Sequence, residues 1–211
     1  MLDSPAVDIT PVLGRREALQ RMFAAFGGVI AFPLVSSAHP IQQHLRDAAG
    51  VASADQKANA AAYTPEFLDP HQFATLQTLA ERIVPGSTQA RSSEFIDQLL
   101  VVADASDQKA FLQALGAFEG LAIERARQPW KALSPEQQIE LLTLAAAEKP
   151  GASDEHATAS SHPTLRDHFE QLKGWIVGAY YSSEIGMREL GWTGNFFFRT
   201  FPGCEHPDGH R

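Results

Sequence analysis

Apolar residues recur at helical spacing through most of the chain between positions 69 and 181, and this periodicity restricts the folds it can adopt. One repeat consists of Phe73, Leu76, Leu79 and Ile83. Steps of three and four residues place side chains on one face of an α-helix, whereas a half-buried strand needs every second residue to be apolar. The sequence contains no sustained alternating run of β-branched residues. The pattern therefore predicts an all-α domain.

Helix-start and helix-stop signals divide this domain, expected at residues 65–185, into about five helices in an irregular bundle. The predicted starts are Asp69-Pro70, Ser92 or Ser93, Ser106, the capping box from Ser134 to Gln137, and Thr164. Asp, Ser and Thr accept hydrogen bonds from free amides of the first turn, and proline suits the first helical position. The fifth helix should end before Gly186, which leaves an irregular segment at 186–211.

Composition and charge exclude several classes of protein. With 211 residues and 44% apolar residues, the chain can bury one sizeable core. Its net charge of −8 argues against a nucleic-acid partner, because no cluster of Lys or Arg could neutralise phosphates. The single cysteine, Cys204, excludes an internal disulfide framework and a multi-cysteine metal site within this sequence.

The N-terminal 38 residues have the pattern of a twin-arginine export signal. Arg15 and Arg16 precede a weakly apolar run from Phe23 to Val35, and Ser36-Ser37-Ala38 supplies small residues for cleavage after Ala38. A membrane span needs about 20 apolar residues, so this run is too short to cross a bilayer. We therefore expect a periplasmic protein without a direct membrane span in its mature chain.

Two alternatives concern this N-terminal third. An ordinary buried helix could replace the signal, but Pro33 and the Gly27-Gly28 pair disfavour it. Residues 39–64 contain few large apolar side chains and suggest a linker or flexible arm, although their alanine content equally suits a helix.

Aromatic residues are concentrated near the C-terminus without helical or strand periodicity. Such residues have large apolar areas, so the segment either covers its own domain or docks on a partner. Trp, Tyr and Arg dominate the binding energy of many interfaces. The residues proposed to bind a partner are Tyr180, Tyr181, Glu184, Arg188, Trp192, Phe196, Phe197, Phe198, Arg199 and Phe201.

The sequence lacks the common cofactor-binding and catalytic motifs: it has no glycine-rich nucleotide loop, no Gly-x-Ser-x-Gly and no His-Glu-x-x-His. We therefore predict no catalytic, cofactor-binding or metal-binding residues. The metal-like alternatives are Cys204, His206, Asp208 and His210, and separately His156 or His162 with Asp154 or Glu155. Solvated segments explain both groups more simply. Glu184 could act as an acid, but an ion pair with Arg188 is the simpler interpretation.

Four short motifs behind the leader resemble the gluconate 2-dehydrogenase subunit 3 family. They are Leu76-Gln-Thr-Leu-Ala-Glu-Arg-Ile-Val-Pro-Gly86, Glu94-Phe-Ile-Asp97, Tyr181-Ser-Ser-Glu-Ile-Gly186 and Phe201-Pro-Gly-Cys204. The resemblance covers roughly residues 66–204. It implies a small, non-catalytic subunit whose partner is a flavoprotein of the glucose–methanol–choline oxidoreductase type.

In that family the small subunit is thought to carry the leaderless flavoprotein through the export pathway and to stabilise it. The resemblance thus implies that FAD and the catalytic residues belong to the partner chain. It leaves open whether the sugar is a glucoside, glucose or gluconate, and whether a cytochrome c subunit completes the complex. The alternatives of another class are a free-standing periplasmic sugar-binding module, with Trp192 and the tyrosines as a stacking platform, and a metal-dependent enzyme.

Overall fold

The computed structural model describes residues 41–148 and 163–192. Within these two ranges the chain forms eight α-helices, one short 3-10 helix and no strand. The elements are α1 Gln42–Leu45, α2 Ala48–Ala58, α3 Pro70–Ile83, α4 Ser92–Val102, α5 Ala105–Ala126, the 3-10 helix Trp130–Ala132, α6 Pro135–Ala147, α7 Leu165–Tyr181 and α8 Glu184–Glu189. The all-α prediction is confirmed, and the five predicted helices correspond to α3 to α7.

Helix starts follow the predicted capping chemistry in most cases. Asp69 and Ser134 each form a capping box, with Gln72 and Gln137 respectively, and a proline follows each cap. Thr164 caps α7 in the same way. The predicted cap at Ser106 is wrong, because the side chain of Asp104 accepts the Asp107 amide and α5 therefore begins two residues earlier.

Helix α7 lies at the centre of the bundle and packs against α3, α4, α5 and α6. Its fully buried side chains Leu172, Trp175 and Ile176 belong to one continuous apolar core. The Phe111 ring of α5 meets the Trp175 ring edge to face, with 5.7 Å between centroids. This geometry is favoured because it sets the positive edge of one ring against the negative face of the other.

The expected linker at 39–64 is instead an ordered part of the core from Ile41 onwards. Helix α2 packs on α4 and buries Val51, Ala54 and Ala58, whose spacing fits one helical face. Ile41 is 1% exposed and lies against Gly178 of α7. Alanines contribute little to an apolar pattern, yet their small size lets two helices approach closely. The helical alternative for this stretch is therefore the correct one.

The expected irregular segment from Gly186 is helical for its first four residues. Helix α8 extends to Glu189 because Ser183 caps it by accepting the Gly186 amide hydrogen. Residues 193–211, and with them most of the proposed docking segment, lie outside the described residues.

Candidate partner interface

A sharp corner joins α7 to α8, and it is built by the motif from Tyr181 to Gly186. The hydroxyl groups of Ser182 and Ser183 donate to the carbonyl oxygens of Ala179 and Tyr180, at 2.9 and 2.6 Å. These bonds satisfy carbonyls that the end of α7 leaves without helical partners. The two serines therefore turn the chain and are buried in doing so.

Gly186 allows α8 to approach the end of α7 closely. A Cβ added at this position would lie 2.4 Å from the Tyr180 carbonyl oxygen, which is shorter than any normal contact. Backbone atoms cannot swing aside as a long side chain can, so this position requires glycine. The glycine of the motif thus has a packing role.

Tyr180 anchors this corner to the rest of the domain. Its side chain is 5% exposed and packs on Gly86, in the turn after α3. Burial raises the pKa of Tyr180, and the Glu189 carboxylate, which accepts the hydroxyl hydrogen, raises it further. Of the proposed partner-binding residues, Tyr180 therefore offers little free surface. It connects α7, α8 and the turn after α3 that contains Gly86.

The outer surface of the corner is formed by Tyr181, Arg188, Leu190 and Trp192. The Tyr181 ring is half-buried and meets the Tyr180 ring edge to face at 5.0 Å. Leu190 is 66% exposed, and Trp192 is half-buried with its amide donating to the Met187 carbonyl at 3.0 Å. An apolar side chain this exposed, two residues before a tryptophan, makes this end of the domain a candidate surface for a partner. We call these four residues the corner face.

Glu184 lies in the first turn of α8, where its carboxylate pairs with Arg188 one turn later at 2.5 Å. A carboxylate at a helix N-terminus is favoured by the helix dipole, and the i, i+4 spacing suits an ion pair. This arrangement agrees with the simpler interpretation of Glu184 and gives it a role in helix α8.

Sequence reasoning missed a second cluster, which explains the motif from Glu94 to Asp97. Asp97 is fully buried, and its carboxylate accepts four hydrogen bonds within 3.2 Å. The donors are the Tyr63 hydroxyl and the backbone amides of Glu66, Phe67 and Leu68. These bonds hold the segment before α3 onto α4. An acidic residue inside an apolar motif was the signal that could have revealed it.

The other proposed residues are outside the part of the chain that the structure describes. They comprise Arg15 and Arg16 of the export signal and the partner-binding residues Phe196, Phe197, Phe198, Arg199 and Phe201. The histidines at 156 and 162 and the group from Cys204 to His210 also fall there. Among the described residues, no three His, Cys, Asp or Glu side chains are arranged to hold a metal ion. None of the helices described here combines the length and the apolar composition needed to cross a membrane.

Comparison with known families gives one match. The family model described as gluconate 2-dehydrogenase subunit 3 matches residues 70–202, which is more than half of the chain. The matched region includes α3 to α8, Asp97 and the corner face, whereas the four residues that donate hydrogen bonds to Asp97 precede it. No curated protein and no solved structure matches the chain.

Proposed function

Because this chain belongs to the gluconate 2-dehydrogenase subunit 3 family, we propose that it is a non-catalytic small subunit of a FAD-dependent sugar dehydrogenase. Its partner is a flavoprotein of the glucose–methanol–choline type, which holds FAD and the catalytic residues. FAD sites of that type use a glycine-rich turn between a strand and a helix, and the described residues form no strand. The small subunit supports folding and stability of the flavoprotein and accompanies it to the periplasm.

The main structural support for this proposal is the corner face. The corner itself is stiff, because Tyr180, Ser182, Ser183 and Gly186 are all buried. A preformed surface loses little conformational entropy on binding. In the sequence, Trp192 follows α8 and precedes the aromatic segment that includes Phe196 to Phe198. The corner face and this segment together form the proposed docking site.

Co-purification tests the docking site. Tyr181→Ala and Trp192→Ala should each weaken the complex with the flavoprotein by about 2 kcal/mol, or roughly 30-fold in Kd, because buried aromatic residues dominate interface energies. Val102→Ala is the matched control, since Val102 is also 66% exposed but lies on α4. Equal affinities for all three variants and the unmodified chain would contradict the proposed site.

Export is tested through the arginine pair. Replacing Arg15 and Arg16 by lysine should leave both subunits in the cytoplasm, because the flavoprotein is proposed to have no export signal of its own. Fractionation of cells expressing both genes, followed by measurement of periplasmic dehydrogenase activity, gives the result. Periplasmic flavoprotein in the presence of the lysine pair would contradict the carrier role.

A further inference from the structure

The turn between α3 and α4 is a preformed surface element outside the corner face. The side chain of Glu81, in the last turn of α3, accepts the backbone amides of Gly86 and Thr88 at 2.9 Å each. These bonds satisfy polar backbone groups locally and fix the shape of the turn. A surface of fixed shape loses little conformational entropy when a partner binds. We call residues 85–89 the α3–α4 turn.

The Tyr180 side chain connects this turn to the corner between α7 and α8. A Cβ added at Gly86 would lie 3.4 Å from the Tyr180 hydroxyl oxygen. The same hydroxyl donates to the Glu189 carboxylate of α8. The Tyr180 ring also meets the ring of Tyr181, a member of the corner face, at 5.0 Å. The turn and the corner face are therefore neighbouring elements that one buried side chain holds in place.

The composition of the α3–α4 turn suits the centre of an interface. No charged residue occurs from Ile83 to Ala90, although 20% of the chain is charged. Within this stretch Pro85, Thr88 and Gln89 are exposed. The centres of interfaces are depleted in charged residues, because a charge buried there loses its hydration. The turn therefore fits a partner surface that carries no charge at the point of contact.

A stable interface also needs more surface than the corner face and the aromatic segment supply. Each partner usually contributes about 20–30 residues. The corner face has four residues, and the segment from Phe196 to Phe198 adds three. The α3–α4 turn is fixed to the corner through Tyr180, so it is a rigid surface onto which the same interface can extend.

We propose that the α3–α4 turn is a second part of the surface that binds the flavoprotein, with Gln89 in direct contact with it. The turn and the corner face dock as one unit, because Tyr180 fixes their relative position. The matching surface of the flavoprotein is uncharged and forms hydrogen bonds with the Gln89 side chain. This inference rests on the proposed function, since it takes the flavoprotein as the partner.

Affinity measurements with charged variants test the turn. Gln89→Arg and Gln89→Glu should each weaken the complex by about 10-fold or more in Kd, because an unpaired charge inside an interface loses hydration without gaining a partner. Gln113→Arg is the matched control, since Gln113 is also exposed but lies on α5 beside Phe67. This control should bind as tightly as the unmodified chain. Unchanged affinity of both Gln89 variants, or tighter binding by either, would overturn the proposal.

Photo-crosslinking in the purified complex identifies what the turn contacts. A photo-crosslinking amino acid in place of Gln89 should link to the flavoprotein, whereas one in place of Gln113 should not. A crosslink from position 89 to its own chain or to a second copy, no crosslink, or equal yields from both positions would overturn the proposal. If Trp192→Ala weakens the complex while both Gln89 variants bind normally, only this inference fails. If no complex with the flavoprotein forms, the proposed function fails with it.

Discussion

At the scale of single residues, buried polar groups explain much of the motif content of the chain. The Asp97 carboxylate is wholly enclosed and is stabilised by four donors from the segment that precedes α3. Burial raises the pKa of Tyr63, and the hydrogen bond to Asp97 adds to this effect. A buried carboxylate of this kind stabilises the fold only while its donors remain in place.

Asp97→Asn should therefore lower the free energy of unfolding by about 3 kcal/mol, because the amide keeps one acceptor oxygen and turns an NH2 group toward backbone donors. Denaturant unfolding measures the change. Glu124→Gln is the matched control, since this side chain is 74% exposed, and it should stay within about 0.5 kcal/mol of the unmodified chain. An equally small change for Asp97→Asn would show that the cluster contributes little.

A second residue-scale prediction concerns histidine. Burial lowers the pKa of His44, which packs on the Trp175 ring at 5.6 Å, and the carboxylates of Asp107 and Asp104 oppose only part of this shift. Burial also lowers the pKa of His168, and Asp167 opposes it in part. Just below about pH 6.5 the unfolded chain therefore binds more protons than the folded chain. The free energy of unfolding has its full value above that pH and decreases as the pH falls.

Unfolding free energies measured at about pH 7.5 and about pH 5.5 should differ, with the lower value at the acidic pH. His44→Gln should make this difference smaller, and adding His168→Gln should reduce it further. The change in packing against Trp175 affects both pH values alike, so the difference isolates the titration. An unchanged difference in the double variant would rule out these histidines as its source.

At the scale of helices, the turns that join helices depend on particular residues as much as the helices themselves do. The α7–α8 corner depends on Gly186, where a Cβ would meet the Tyr180 carbonyl. Gly116 in α5 is exposed and has nothing within 4 Å of an added Cβ. Two glycines in helices thus have opposite roles.

Gly186→Ala should destabilise the chain by about 1–3 kcal/mol, because the corner must open to admit the methyl group. Gly116→Ala, the matched control, should stabilise it by about 0.5–1 kcal/mol, because alanine is the better helix former at an open site. Thermal unfolding of both variants shows whether each substitution raises or lowers the stability of the chain. A stabilising effect of Gly186→Ala would show that the corner is looser than its geometry implies.

At the scale of the whole molecule, the arm from Ile41 to Ala58 completes the core although it lies outside the residues of the family match. Ile41 occupies a notch above Gly178, where a methyl group on the glycine would come within 2.2 Å of its Cγ2 atom. The central helix α7 is therefore covered on that side by the residues directly behind the proposed cleavage point.

Ile41→Ala should lower the free energy of unfolding by about 2–5 kcal/mol, the usual cost of such a cavity. Deleting residues 39–58 should cause a larger loss and expose apolar surface to a fluorescent dye that binds it. Val102→Ala serves as the exposed control and should change stability by less than about 0.5 kcal/mol. A deletion variant that unfolds at the temperature of the full chain would contradict a structural role for the arm.

The five main helices could be recognised from the sequence because their information is local. Asp69, Ser134 and Thr164 cap helices whose apolar faces repeat every three or four residues, and both signals are confined to a few turns. The family could be recognised on the same basis, since its motifs are short and contiguous. The structural role of each motif residue could not be predicted in this way, because it depends on contacts with distant parts of the chain.

Only tertiary structure decided that Tyr180 is a buried anchor while Tyr181 and Trp192 are partly open, because exposure depends on distant elements such as the turn at Gly86. It also decided that an alanine-rich stretch joins the core, since Ala54 and Ala58 become apolar contacts only when α4 lies against them. Burial is a property of pairs of surfaces that lie far apart in the chain, and no local pattern of residues contains it.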